Sequence, residues 1–214
     1  MWKNITDKPI KLAVAIVENI NNSENNAPYK NLEKLAEELY NKYSATTIGK
    51  ISGIENARKL FKSVHIDPTK NRPSSEALLR RAIRQKPLPK INPAVDIGNW
   101  CSLEFLLPIC VYDYQKIFEP VELRLGKANE KYLAINNREI NLENKFVLSD
   151  TKGAFGSPIT DSYRTAVNNS TKTLVLVIYS HSEMSQDKLE KNLDVFIDRI
   201  INFLNGQLKE KFII

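Results

Sequence analysis

Asp161-Ser162-Tyr163-Arg164-Thr165 places an acid, three hydroxyls and a guanidinium side by side. In extended backbone, alternation puts Asp161, Tyr163 and Thr165 on one side and Ser162 and Arg164 on the other. Arg164 is then able to clamp a carboxylate or phosphate through two parallel N–H bonds, or to close internally on Asp161. A second polar strip, Asp96, Asn99 and Ser102, recurs at helical spacing on an otherwise apolar element, where such residues either bond loop backbone or line a pocket. Cys110 stands between Ile109 and Val111. It is a nucleophile or a small buried hydrophobe, and no histidine lies close in sequence to activate it.

The cations form another constellation. The net charge is +6, yet between Arg58 and Lys90 ten lysines and arginines face two acids, Asp67 and Glu76, so this segment contributes +8 and the remainder sums to −2. Lys70, Arg72, Arg81, Arg84, Lys86 and Lys90 are the candidate nucleic-acid contacts, because clustered cations are the electrostatic footprint of a phosphate-backbone partner. The bland alternative is a solvated lysine-rich surface. Glu76 and Arg80 have i,i+4 spacing and pair, Asp67 caps the turn before Arg72, and Arg81 and Arg84 stay free for an acidic partner.

Other chemistries have little to build on. Two cysteines, Cys101 and Cys110, and two histidines, His65 and His181, do not make a metal site by spacing, so no metal is expected. The seven glycines are scattered outside any nucleotide-binding motif, and no cofactor is expected. The start of the chain lacks a signal-type apolar run, and the longest apolar stretches, Leu12–Val17 and Leu174–Tyr179, are too short to span a bilayer. A soluble protein of the reduced cytoplasm is the expectation, with the oligomeric state open.

Apolar spacing supplies the elements that position these groups. Ile10–Val17 predicts a strand. Tyr29–Tyr43 and Gly53–Val64 predict amphipathic helices. Pro73 and Pro93 each fall where a helix begins, since proline suits the first helical position, and Leu78, Leu79, Ala82 and Ile83 form the stripe of the first of these two helices. Ile109–Tyr112 predicts a buried strand, and short segments at Val121–Leu125, Tyr132–Ile135 and Phe146–Leu148 predict antiparallel strands and hairpins. Asp150–Gly153 reads as a turn, and the Gly153–Pro158 stretch as a further turn rich in small residues. Leu174–Tyr179 predicts a central strand, and Ser185 caps a long closing helix with Gly206 just beyond. Early and late helices around a block of short antiparallel and mixed strands predict an α+β fold, a single domain over 1–214 with 1–108 and 109–214 as lobes within it.

The ordered run Asp67-Pro68-Thr69-Lys70, Arg72 to Arg81, Leu88-Pro89-Lys90-Ile91-Asn92-Pro93, Val95-Asp96, Pro108 to Asp113 and Asp161 to Thr165 resembles stand-alone relatives of the B3/B4 domain of the phenylalanyl-tRNA synthetase beta chain. The resemblance runs from about Ile10 to Gly206 and implies a B3/B4-like fold. It also implies tRNA or aminoacyl-tRNA as partner; the pocket candidates remain those the residues offer, Asp96, Asn99, Cys110, Asp161, Ser162, Arg164 and Thr165. The synthetase pattern carries an editing histidine where this chain has Cys110, and a carboxylate where this chain has the apolar Leu174–Tyr179 strand. Binding without strong catalysis is therefore the expected function. Its alternatives are a trans-editing deacylase, that is, an aminoacyl-tRNA ester hydrolase without a ligase domain, or a protein that binds an amino-acid-like ligand.

Overall fold

In a computed structural model that describes residues 1–214, β1 (Trp2–Asn4) and β2 (Ile10–Glu18) precede the helices α1 (Ala27–Tyr43), α2 (Ile54–Lys62), α3 (Ser74–Ala82) and α4 (Pro93–Phe105). Strands β3 (Ile109–Asp113), β4 (Val121–Leu125), β5 (Lys131–Leu133), β6 (Glu139–Asn141), β7 (Phe146–Asp150), β8 (Gly153–Gly156) and β9 (Leu174–His181) follow. Then come α5 (Gln186–Leu204) and β10 (Gln207–Ile213). The class is α+β, with one sheet ordered β10-β2-β9-β3, a second ordered β1-β4-β7-β8, and a β5-β6 hairpin. All pairs are antiparallel except β1 with β4. The pairing of β2 with β9 and β10 crosses position 108.

The continuous apolar character of β9 has a direct cause. Leu174, Leu176 and Ile178 face the helices with Ala13, Ala15 and Val17 of β2, packing on Leu193, Phe196 and Ile200 of α5. Val175, Val177 and Tyr179 face the second sheet with Leu12, Val14 and Ile16, against Leu123, Phe146, Leu148 and Phe155. A strand buried on both faces has no polar side to alternate with. The result is three layers, helices on a sheet on a sheet.

Three details differ from expectation. Ser185 caps α5 by accepting from the Lys188 amide, as expected, but the chain then turns at Asn205 (φ 57°) and returns as β10 along β2. That strand is exposed over most of its length, so its backbone pairing leaves little apolar pattern to detect. Gly153–Gly156, expected within a turn rich in small residues, is the edge strand β8, while the turn expected at Asp150–Gly153 lies at Thr151-Lys152. Of the two prolines, Pro93 is the first residue of α4 with Asn92 capping it, whereas Pro73 sits one position outside α3, as its cap.

Candidate functional site

β3 is an edge strand of its sheet, and beside it opens a cavity of about 370 Å³. Val95, Gly98 and Asn99 of α4 form one wall and Ile109, Cys110 and Val111 of β3 another. Ser157, Ile159, Thr160, Asp161, Tyr163, Ala166 and Val167 complete it, with Ser74, Ile91 and Ile135. Gly98 sets the spacing of α4 and β3, because a Cβ there would meet Val111 Cγ2 at 2.8 Å. Ile91, Ile135 and Tyr163 are all exposed despite their size, and their presence in the lining gives the cavity apolar groups that face solvent.

Behind the lining carboxyl of Asp161 lie two fully buried phenols. Tyr112 Oη donates to Asp161 Oδ1 at 2.7 Å and lies 3.3 Å from Tyr179 Oη. Gly156 makes room for it, since a Cβ there would come within 2.1 Å of the Tyr112 hydroxyl. Burial pushes the Asp161 carboxyl up to about 6, against the opposing pull of Tyr112, Cys110 and the Ser157 backbone. Burial, then the Asp161 charge, raises the Tyr112 phenol well above its ordinary value, so it remains a donor. Cys110 Sγ rests 3.6 Å from the Ser157 carbonyl oxygen, and burial, reinforced by Asp161, raises its thiol well above the usual range. A thiol held protonated is a poor nucleophile, so Cys110 is lining rather than a reacting group.

Of the residues that sequence nominates, Asn99, Cys110 and Asp161 therefore meet in one cavity. Arg164, Ser162, Thr165 and Asp96 are outside its lining. Arg164 closes on neither Asp161 nor a free anion site: it grips Asp150 in a bidentate pair at 2.9 and 3.0 Å and donates to the carbonyls of Lys116 and Gly153. Residues 163–165 form a 3-10 turn, not a strand, so strand alternation does not govern their directions. Ser162 Oγ caps that turn by accepting from the Arg164 amide, and Thr165 Oγ1 donates to the Phe155 carbonyl. Asp96 accepts from the Ile91 amide at 3.0 Å; burial raises its carboxyl, opposed by that bond and by Lys90. Ser102 donates to the Leu107 carbonyl.

The cationic tract divides in two. Glu76, with its side chain 2% exposed, takes Arg58 in a bidentate pair at 2.7 and 2.9 Å and also takes Arg80. Burial opposes the Glu76 charge most, but the two guanidiniums win and hold the carboxyl below its ordinary value. Arg72, Arg80, Arg81, Arg84 and Lys86 line a surface groove of about 310 Å³, and of these only Arg80 has a carboxylate partner. Arg81 Nε donates to the Pro87 carbonyl at 2.8 Å. Lys70 is exposed near Asp67, whose Oδ1 accepts from the Thr69 amide and hydroxyl, and the Lys90 ammonium sits 5.6 Å from the Tyr29 ring centre. Neither lines the groove.

Sequence reasoning did not single out Tyr112 and Tyr179, the buried pair whose Tyr112 hydroxyl holds Asp161 from behind the lining. A phenol within an apolar strand was the available signal, because a buried hydroxyl requires a partner.

A model of the B3/4 domain matches residues 56–199, more than half of the chain. The phenylalanine–tRNA ligase beta subunit of Coxiella burnetii is 32% identical over 96 residues, covering 44% of this chain and 12% of that protein. Its counterpart from Haemophilus influenzae is 28% identical over 120 residues, covering 55% and 14%. The chain thus spans a small part of these relatives' length. An N-terminal fragment of the phenylalanyl-tRNA synthetase beta subunit from Pyrococcus horikoshii is similar to it with a TM-score of 0.48 and 15% identity, covering 94% of this chain and 78% of that one.

Proposed function

Because this chain belongs to the B3/4 domain family, we propose that it binds tRNA carrying an aminoacyl group, with the groove taking phosphates and the cavity taking the aminoacyl end. One observation carries this reading: α3 serves both places. Ser74, its first residue, lines the cavity, while Ala77, Arg80 and Arg81 line the groove together with Arg72 and Arg84. Unpaired guanidiniums beside an apolar cavity suit a polyanion with a small organic group at its end. A cytoplasmic setting goes with that partner.

The test is a comparison of uncharged and aminoacylated tRNA in an anisotropy titration at low salt. Aminoacylated tRNA is expected to bind more tightly, and a groove variant to weaken both. Absence of binding by either tRNA overturns the reading.

Hydrolysis of the ester is the second reading, and Asp161 favours it. A carboxyl near 6 in the cavity lining is able to accept a proton from water at neutral pH. Against it, Cys110 is protonated and no cation lines the cavity to meet a developing oxyanion. Slow turnover or none is the expected outcome.

A further inference from the structure

The cavity carries one ionisable carboxyl and no lysine, arginine or histidine. Nearby cations are committed elsewhere. Arg164 is bound to Asp150, the Lys116 ammonium donates to the Ala166 carbonyl at 2.6 Å, and Lys90 lies against Tyr29. A free amino acid brings an ammonium and a carboxylate. The ammonium finds Asp161, the one carboxylate in the cavity lining, whose Oδ1 also accepts from Tyr112. The carboxylate finds no counter-charge, among walls supplied largely by Val95, Ile109, Val111 and Ile159, and burying an unpaired carboxylate is costly.

We infer that this site selects compounds with a free α-ammonium and a masked carboxyl, as in an ester or amide, and rejects free amino acids. The inference rests on the reading of the cavity as the aminoacyl site, and it adds a physical means of discrimination. A charged tRNA presents its amino acid as an ester, with the ammonium kept and the carboxylate removed. Asp161 is then a binding residue for the ammonium, and the lack of a cation is the feature that keeps the free amino acid pool from occupying the site.

The experiment is an NMR titration of the whole protein with apolar and aromatic amino acids, each as the free acid, the amide and the N-acetyl amide. The amide is expected to bind at least tenfold more tightly than its acid, and N-acetylation, which removes the positive charge, to abolish that binding. Asp161→Asn is expected to remove the preference for the amide over its N-acetyl form. Equal or tighter binding of the free acids overturns the inference, as does N-acetyl binding equal to that of the amide; both comparisons use the wild-type protein. Failure of all three small compounds overturns it too. Retention of tRNA binding in that same sample leaves the tRNA reading standing, whereas loss of both removes the two together.

Discussion

Arg164 and Asp150 form a two-pronged ion pair at 2.9 and 3.0 Å, in which the Asp150 side chain is fully buried and Arg164 is 28% exposed. The pair ties the 3-10 turn after Ser162 to the end of β7, and so holds the segment that delivers Asp161 to the cavity. It also keeps the guanidinium out of that cavity.

Arg164→Ala should therefore act on stability first. Asp150 would be left buried without its partner, at a cost of about 3–5 kcal/mol, read as a lowered midpoint in urea unfolding. Arg164→Lys should recover only part of the loss, since an ammonium cannot reproduce the fork or reach the Lys116 and Gly153 carbonyls together. A wild-type midpoint for the alanine variant would show that the pair is not structural.

Replacing Arg81 and Arg84 with alanine should flatten the salt dependence of tRNA binding. Each single-strand phosphate contact contributes a slope of roughly −0.7, so losing one or two changes the log–log slope by about 0.7 to 1.4. Both side chains are exposed, and the fold should tolerate the change. An unchanged slope relocates the RNA site.

The stability of the protein should carry the imprint of Asp161. Its carboxyl is raised from 3.8 to about 6 by burial, so the folded state holds the proton over a range in which the unfolded chain has released it. The stabilising contribution is complete below the unfolded value and is lost as pH rises through about 6. Each pKa unit is worth about 1.4 kcal/mol, which sets a ceiling near 3 kcal/mol. Asp161→Asn should remove this term, so that the variant gains on wild type as pH rises from 4 to 7. A constant difference across that range would contradict the assigned environment.

Hydrolysis of tRNA specific for phenylalanine but mischarged with tyrosine should be weak or absent. The Cys110 thiol is a poor donor and is held protonated by burial. Cys110→Ala should leave tRNA binding intact, and the wild-type thiol should resist alkylation at neutral pH. Robust turnover by wild type would overturn the non-catalytic reading, and Asp161→Asn would then distinguish a carboxylate base from other routes.

Much of the fold was legible locally. The period of apolar residues fixed α1, α2, α5, β2 and β9, because a helix stripe and a doubly buried strand each leave a pattern in consecutive residues. The pairing of Glu76 with Arg80 and the turn cap at Asp67 were legible for a similar reason, being separated by a few residues. Exposure of Arg81 and Arg84 followed from the single apolar side of α3. The same run of motifs carried the family resemblance.

Long-range pairing decided the rest. Whether Arg164 met Asp161 or Asp150 depended on how β7 and β8 brought position 150 beneath the 3-10 turn, and no local pattern encodes that. Glu76 acquired Arg58 from another helix, 18 positions away, in the same manner. Tyr112 reached Asp161, 49 positions distant, because β3 occupies the edge beside β9 and Gly156 leaves room for the phenol. Residue types and order thus determined most of the elements, though not β8 or β10, as well as the family and the cationic tract. The tertiary structure alone decided that one cavity would hold a carboxylate and no cation, since charge balance in a buried space depends on which side chains converge there.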